Sequence, residues 1–457
     1  MVKIHSSYPV IPSESTPTPN LSLSQCDQIK LPTHGSQLYV YTNNNTCNIS
    51  DDSPLRTIRT SLSKALTHYY PMAGRLCWIQ GGRLQLLCNT KGALFFEATC
   101  DDEVSLNDSG DFVPTHVVEQ LVPKVDYGVP IEDIPLLLVQ LTMFPCGGFT
   151  LGLALCRAVL DGASVGSFIN SWAKLARKES LDSSLIPLLD RTLLDSRKLN
   201  MSPRFEHHEF FPPPLWAGML KNTKMRLYPT TTTAMLKLTK GQVEKLKKAC
   251  DFTQVKPYTS FEVISGHLWR CVCKVRYEGN WDQPTRLTTL VNCRNRLNPP
   301  LPHAYFGNAT FPTVTPTCSF DDIVHKPLSY VVGKVRVAIE RMSDEYVRSS
   351  LDYMANQKDL NLFRDIFYNS AGSVGGQFSG DPNLYVVGWT NFPFYSTDFG
   401  LGKPAYMVPG NINSEGKAFL LNNGNGDGFI VAVCLQPSHI DALKKLFYEG
   451  MEPSSKL

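Results

Sequence analysis

What this sequence has little of narrows its class before any motif is read. No stretch approaches about 18 consecutive apolar residues, so no membrane-spanning helix is expected. Charge of one sign is not in excess: 44 basic residues face 41 acidic ones, a net charge of +3. No basic cluster runs along the chain, which excludes the electrostatic footprint of a nucleic-acid binder. The 13 cysteines are scattered without zinc-ligand spacing, and the single C-x-C at Cys271 and Cys273 has no second pair. They read as reduced, mostly buried thiols of an intracellular protein. Asn44 and Asn48 open N-x-[ST] triplets, but Met1 to Val10 carries no apolar signal region, so glycosylation is not expected. There is no repeat of fixed period, and neither a metal nor a resident cofactor is implied.

What is present is a soluble globular balance, 42% hydrophobic and 19% charged residues. A length of 457 residues is too great for one core and implies two domains of roughly 150–250 residues. Apolar spacing predicts a helix over 55–69, stopped by Pro71 and Gly74. Strands are expected at 83–89 and 93–97 around a Lys91-Gly92 turn, and a hairpin at 135–144 and 148–156 around Pro145-Cys146-Gly147-Gly148. A helix over Ala163–Arg177 follows. Residues 180–230 lack periodicity and hold Pro212-Pro213-Pro214 and Pro229. The expected division is therefore 1–195, a crossover at 196–230, and 231–457. The second half repeats the alternation, with helices at 240–250, 260–275 and 320–350 and strands at 286–292, 384–390 and 428–436. The pattern suits an α/β protein of mixed sheets with flanking helices.

Gly162-Ala163-Ser164-Val165-Gly166 matches the G-x-S-x-G nucleophile elbow of serine hydrolases. Its register argues otherwise, since Ser164 lies past a six-residue turn, where it is better read as a helix-start capping residue. The same turn suits a different chemistry. A side chain at position 157 is aimed from the strand end into a cleft, Asp161 braces the loop, and Gly162 supplies a tight bend.

Taken together, these segments resemble the BAHD acyl-CoA-dependent acyltransferases of plants. Leu151–Ala173 is similar to the family's H-x-x-x-D-G region, and Tyr70-Pro71-Met72-Ala73-Gly74-Arg75 to its Y-P-x-A-G-R element. Asn292–Leu297, with Pro299–Pro302 and Phe306-Gly307-Asn308, resembles its central signature. Asp398-Phe399-Gly400-Leu401-Gly402 resembles D-F-G-W-G, with leucine in place of tryptophan. The resemblance spans nearly the whole chain. It implies two similar chloramphenicol acetyltransferase-like domains, an active-site channel between them, and acyl-CoA as co-substrate rather than a cofactor. It also implies a monomer whose partners are an acyl-CoA and a small alcohol or amine, with neither nucleic acid nor membrane involved. Asp161 would pair with Arg294, Trp389 would offer an indole N–H to the oxyanion or serve as a core tryptophan, and Asp398, Gly400 and Gly402 would be structural. Lys256, Thr259 and Ser260, at the start of a helix, match the CoA-contacting region and suit phosphate; helix capping by the hydroxyls is the alternative.

Position 157 departs from the family, for it holds arginine where the family has its catalytic histidine. A guanidinium has no acceptor and a pKa above about 12, so Arg157 cannot be a general base. Three readings stay open. Transfer can proceed through another base such as His34, or none, with Arg157 stabilising the oxyanion. The fold can serve as a lyase or a non-catalytic binding protein, with Arg157 clamping a carboxylate. Or the chain can be an inactive copy. Within the family, Met1-Val2-Lys3-Ile4, Leu136–Gln140 and Phe168–Ala173 resemble the spermidine hydroxycinnamoyl transferase branch. That implies benzoyl- or hydroxycinnamoyl-CoA as donor and an alkaloid alcohol or polyamine as acceptor. The final Ser455-Lys456-Leu457 reads as a peroxisomal address, with the cytoplasm as the other expectation.

Overall fold

The computed structural model describes residues 2–42, 54–100, 116–195, 202–211, 213–214, 231–250, 256–361, 364, 380–410, 412, 414–424 and 426–451. Ser455–Leu457 and most of the expected crossover lie outside them. The chain is α/β and is built on two six-stranded mixed sheets. The first runs in the order Val2–Val10, Ala93–Cys100, Leu137–Met143, Phe149–Cys156, His34–Tyr41, Tyr406–Pro409. The second runs Thr310–Val314, Leu287–Asn292, Leu384–Gly388, Lys417–Asn422, Gly428–Leu435, Thr232–Thr239. Tyr406–Pro409 thus comes from the C-terminal half yet pairs antiparallel with His34–Tyr41 in the first sheet.

Local sequence explains the central elements. Every residue of Phe149–Cys156 is buried, as suits an apolar run covered on both faces. Helix Gly162–Ala176 packs on Pro54–His68, where the Trp172 indole donates to the Ile58 carbonyl at 3.2 Å and to Ser61 Oγ at 2.9 Å. In the second half, helices Ser260–Val275, Leu328–Glu340 and Pro437–Tyr448 share a core with the second sheet. Every described cysteine is a free thiol, and most are buried.

Several local expectations need correction. The helix expected over 320–350 is three helices, Phe320–His325, Leu328–Glu340 and Asp344–Ala355. Pro327 ends the first, because proline forces an extended conformation on the residue before it. Ser343 starts the third by accepting from the Tyr346 N–H at 3.3 Å. The strands Arg83–Leu87 and Ala93–Cys100 do not pair across Lys91-Gly92. The former joins a separate sheet with Asn20–Ser22 and Arg75–Ile79, and the latter pairs with Val2–Val10. Of the crossover, 202–211 docks on the second half: His207 is buried between Glu209 Oε1 and Ser349 Oγ, both at 2.9 Å.

Candidate active site

The first and second halves meet at the turn between Phe149–Cys156 and Gly162–Ala176. Asp161 caps that helix by accepting from the Ser164 N–H at 3.1 Å. Its two oxygens also take both prongs of Arg294, Nη1 to Oδ2 at 2.8 Å and Nη2 to Oδ1 at 3.0 Å, and Oδ2 accepts from the Ala309 N–H at 2.9 Å. Burial alone would raise this carboxyl; the Arg294 charge and the four hydrogen bonds hold it below the ordinary range. Asp161 is therefore a strut between the halves and too weak a base to abstract a proton.

Ser164 belongs to the same knot. Its hydroxyl donates to the Gly307 carbonyl at 2.9 Å and accepts from Arg294 Nη2 and the Gly307 N–H. It is buried, and no histidine is among its partners, so nothing here activates it as a nucleophile. Gly162 is needed for a different reason than the one read from sequence. Its backbone is not left-handed; a Cβ there would lie 2.6 Å from the Phe392 ring, so glycine permits a close approach.

Arg157 stands at the strand end, beside His34, whose neighbour across the ladder is Cys156. The Arg157 backbone N–H donates to the Thr33 carbonyl at 2.8 Å and Nη1 to Thr33 Oγ1 at 3.1 Å. Its carbonyl accepts from Asn308 Nδ2 at 3.0 Å, and Asn308 is itself held by buried Asp27. The side chain is exposed and has no carboxylate partner among the described residues. His34 Nε2 lies 2.8 Å from the Pro135 carbonyl, which can only accept, so Nε2 carries the proton. Nδ1 then faces the Tyr127 hydroxyl at 3.0 Å. Burial, with a further push from Arg157 and against the Pro135 hydrogen bond, takes this imidazole down to about 4.

On the second sheet, Lys417 lies near enough to Arg157 to feel its charge, and Trp389 follows the adjoining strand Leu384–Gly388. Half-buried Trp389 packs edge-on against Phe419 and Phe394, with ring centroids 4.7 and 5.5 Å away. Its indole N–H meets no acceptor among the described residues. Lys417 opens the strand Lys417–Asn422, with its ammonium 5.2 Å from the Phe419 ring centroid and 5.7 Å from that of Tyr385. From sequence, Lys417 and Tyr127 carry no assigned role, and Asn308 enters only as part of the Phe306-Gly307-Asn308 signature. A lysine at a strand start carries no signal of its own, since its surroundings come from Arg157 and Tyr385, remote in sequence.

The remaining expected residues lie apart from this centre. Asp398 Oδ1 accepts from the Gly400 and Gly402 N–H groups at 2.8 and 3.0 Å, and both glycines have positive φ, 84° and 90°. This is a folded loop that seats Phe399 against Trp172 at 5.0 Å, and Leu401 packs on the same core. Thr259 forms a capping box with Glu262, and the Glu262 carboxylate is neutralised by Arg336 at 2.9 Å. Ser260 is half-buried at the helix start, and the Lys256 side chain is exposed, its carbonyl bonded to Arg336.

Comparison with known proteins gives the family and the fold. The family described as "Transferase family" matches residues 1–450. Hydroxycinnamoyl-CoA:piscidic acid hydroxycinnamoyltransferase of Actaea racemosa is 41% identical, over 99% of this chain and 100% of its own length. Shikimate O-hydroxycinnamoyltransferase of Nicotiana tabacum is 38% identical, over 98% of this chain and 99% of its own. Among solved structures, vinorine synthase has the same fold, with a TM-score of 0.73 at 22% identity over 97% of this chain and 96% of that one.

Proposed function

Because the chain belongs to the BAHD transferase family, we propose that it moves a hydroxycinnamoyl group from CoA to a hydroxyl of an acceptor that carries a carboxylate. The observation that carries the acceptor class is Arg157, a fixed cation at the strand end with no carboxylate partner among the described residues. An acid in the channel would give it one, and charge-assisted pairing with a planar guanidinium is strong. Piscidic acid and shikimate, in the names of the two relatives, are such acceptors. An ammonium-bearing acceptor of the polyamine or alkaloid kind would meet Arg157 as a like charge. The oxyanion of the tetrahedral intermediate is assigned to Trp389, whose indole N–H meets no acceptor among the described residues. The CoA phosphates are assigned to the helix start at Thr259 and Ser260 with Lys256 nearby. Asp161 and Arg294 fix the channel wall and take no part in proton transfer.

The test is CoA release from p-coumaroyl-CoA with hydroxy acids, and with the corresponding amides and polyamines as counter-acceptors. Turnover with the acids is expected, and Arg157→Gln should raise KM for them by about tenfold or more, the worth of a charge-assisted hydrogen bond. Equal turnover of acids and their amides, insensitive to Arg157→Gln, would remove the carboxylate from the proposal.

A further inference from the structure

With arginine at 157, the proton of the acceptor hydroxyl needs another destination, and the structure offers one outside the residues that family resemblance singles out. We infer that Lys417 takes this proton, acting as the general base of acyl transfer from the second sheet. The inference rests on the transfer reading above.

The geometry comes first. Lys417 lies on the face of the second sheet that also carries Phe419, Leu421 and Val387, away from the helix-covered core. Trp389 joins this face to the core of the first half, so it is the surface turned toward the first half. The Lys417 ammonium rests against the rings of Phe419 and Tyr385. No carboxylate and no hydrogen-bond acceptor meets it among the described residues. The groups around it can be named strand by strand. Tyr385 is its register partner on one side and Cys434 on the other. Among the described residues, the Arg157 guanidinium, on the first half, is the one cation whose charge acts on it. On its own strand side, the carboxylate of Glu415 is turned away, bonded to Arg276 Nη2 at 2.6 Å and to the Asp381 N–H at 2.8 Å.

An ammonium in such a place is poorly stabilised. Removal from water, the Arg157 charge, and a small opposing effect of Cys434 bring the amine down to about 7. Near neutrality a large share of Lys417 is therefore an uncharged amine with a lone pair, which Arg157 never is. His34 is neutral too, but its unprotonated nitrogen faces the Tyr127 hydroxyl and is far less basic. In the step itself, the acceptor O–H gives its proton to Nζ while its oxygen bonds the thioester carbon. As the tetrahedral intermediate collapses, the C–S bond breaks, and the new ammonium returns the proton to the departing CoA thiolate. A base of pKa near the working pH is the most effective kind.

The experiment compares full-length wild type, Lys417→Met and Lys417→Arg in kcat and KM across pH 5–9, with acid and neutral alcohol acceptors. Methionine keeps an apolar stem against Tyr385 and Phe419, so folding is retained. Wild-type kcat is expected to rise with pH through a midpoint near 7. Lys417→Met should lose about 100-fold or more in kcat together with that limb, at a KM within a few-fold, and Lys417→Arg should not restore it. Retention of kcat and of the limb in Lys417→Met overturns the base assignment and leaves acyl transfer standing. Turnover of neutral alcohols alone, abolished by Lys417→Met, leaves the base assignment and removes only the carboxylate acceptor. A second measurement needs no turnover: the pH dependence of Lys417 acetylation by acetic anhydride, resolved by peptide mass spectrometry. A midpoint near 7 supports the inference, and one near 10.4, the ordinary lysine value, overturns it.

Discussion

Arg294 holds Asp161 with both prongs, at 2.8 and 3.0 Å, and so ties the loop after Leu287–Asn292 to the turn after Phe149–Cys156. The same guanidinium reaches the Gly307 carbonyl at 2.9 Å, and the pair is almost wholly buried. Arg294→Gln would leave the Asp161 charge buried with backbone donors alone, at a cost of about 3–5 kcal/mol. Because the folded carboxyl is depressed, its contribution is present above pH about 4 and is lost as pH falls through the folded value. Urea midpoints measured between pH 2 and 7 should show that acid loss in wild type, and it should shrink or reverse in Arg294→Gln, where protonation of Asp161 relieves an uncompensated buried charge.

The Arg157 cation disfavours the charged form of Lys417. Arg157→Gln removes a cation that disfavours the Lys417 ammonium, so the amine should hold its proton more tightly. The rising limb of kcat is then expected to move to higher pH than in wild type, as read from a pH–rate profile with a neutral acceptor. A midpoint that stays in place, or moves down, would contradict the coupling.

Trp389→Phe keeps an aromatic ring against Phe419 and Phe394 but deletes the N–H. If that donor serves the oxyanion, kcat falls by about 10²-fold with KM nearly unchanged. A purely packing tryptophan would instead lower the thermal midpoint and leave kcat within a few-fold. Steady-state kinetics beside a melting curve separates the two.

Gly162→Ala places a methyl 2.6 Å from the Phe392 ring. Overpacking of this kind costs about 1–3 kcal/mol. The double variant Gly162→Ala/Phe392→Leu should recover part of that loss, and denaturant titration of both variants measures the recovery.

The strand–turn–helix around 149–177 was legible in sequence because its signals are local: an apolar run, a turn with Asp161 and Gly162, and a periodic helix. The Asp161–Arg294 pairing came from family resemblance, since no local rule joins residues so far apart. Strand Arg75–Ile79 was missed although its partner Arg83–Leu87 was read, because its inward side is set by contacts the sequence does not display. The break at Pro327 was hidden by an apolar period that runs on across it. Lys417 shows the limit most clearly: its side chain is ordinary, and its chemistry is made by Arg157, Tyr385 and Phe419 gathering around it.

Strand Tyr406–Pro409 gives the chain a property that no list of its domains would convey. It completes the first sheet beside His34–Tyr41, and the Ala405 N–H donates to the Val40 carbonyl at 2.8 Å. A fragment ending before the crossover would carry a bare, apolar sheet edge, a template for pairing with other chains. A half expressed apart, or joined to the other half of a relative, is therefore expected to expose or mispair this edge. In each new copy the sheet built from strands between Val2 and Cys156 gains its sixth strand only once Tyr406–Pro409 has been made.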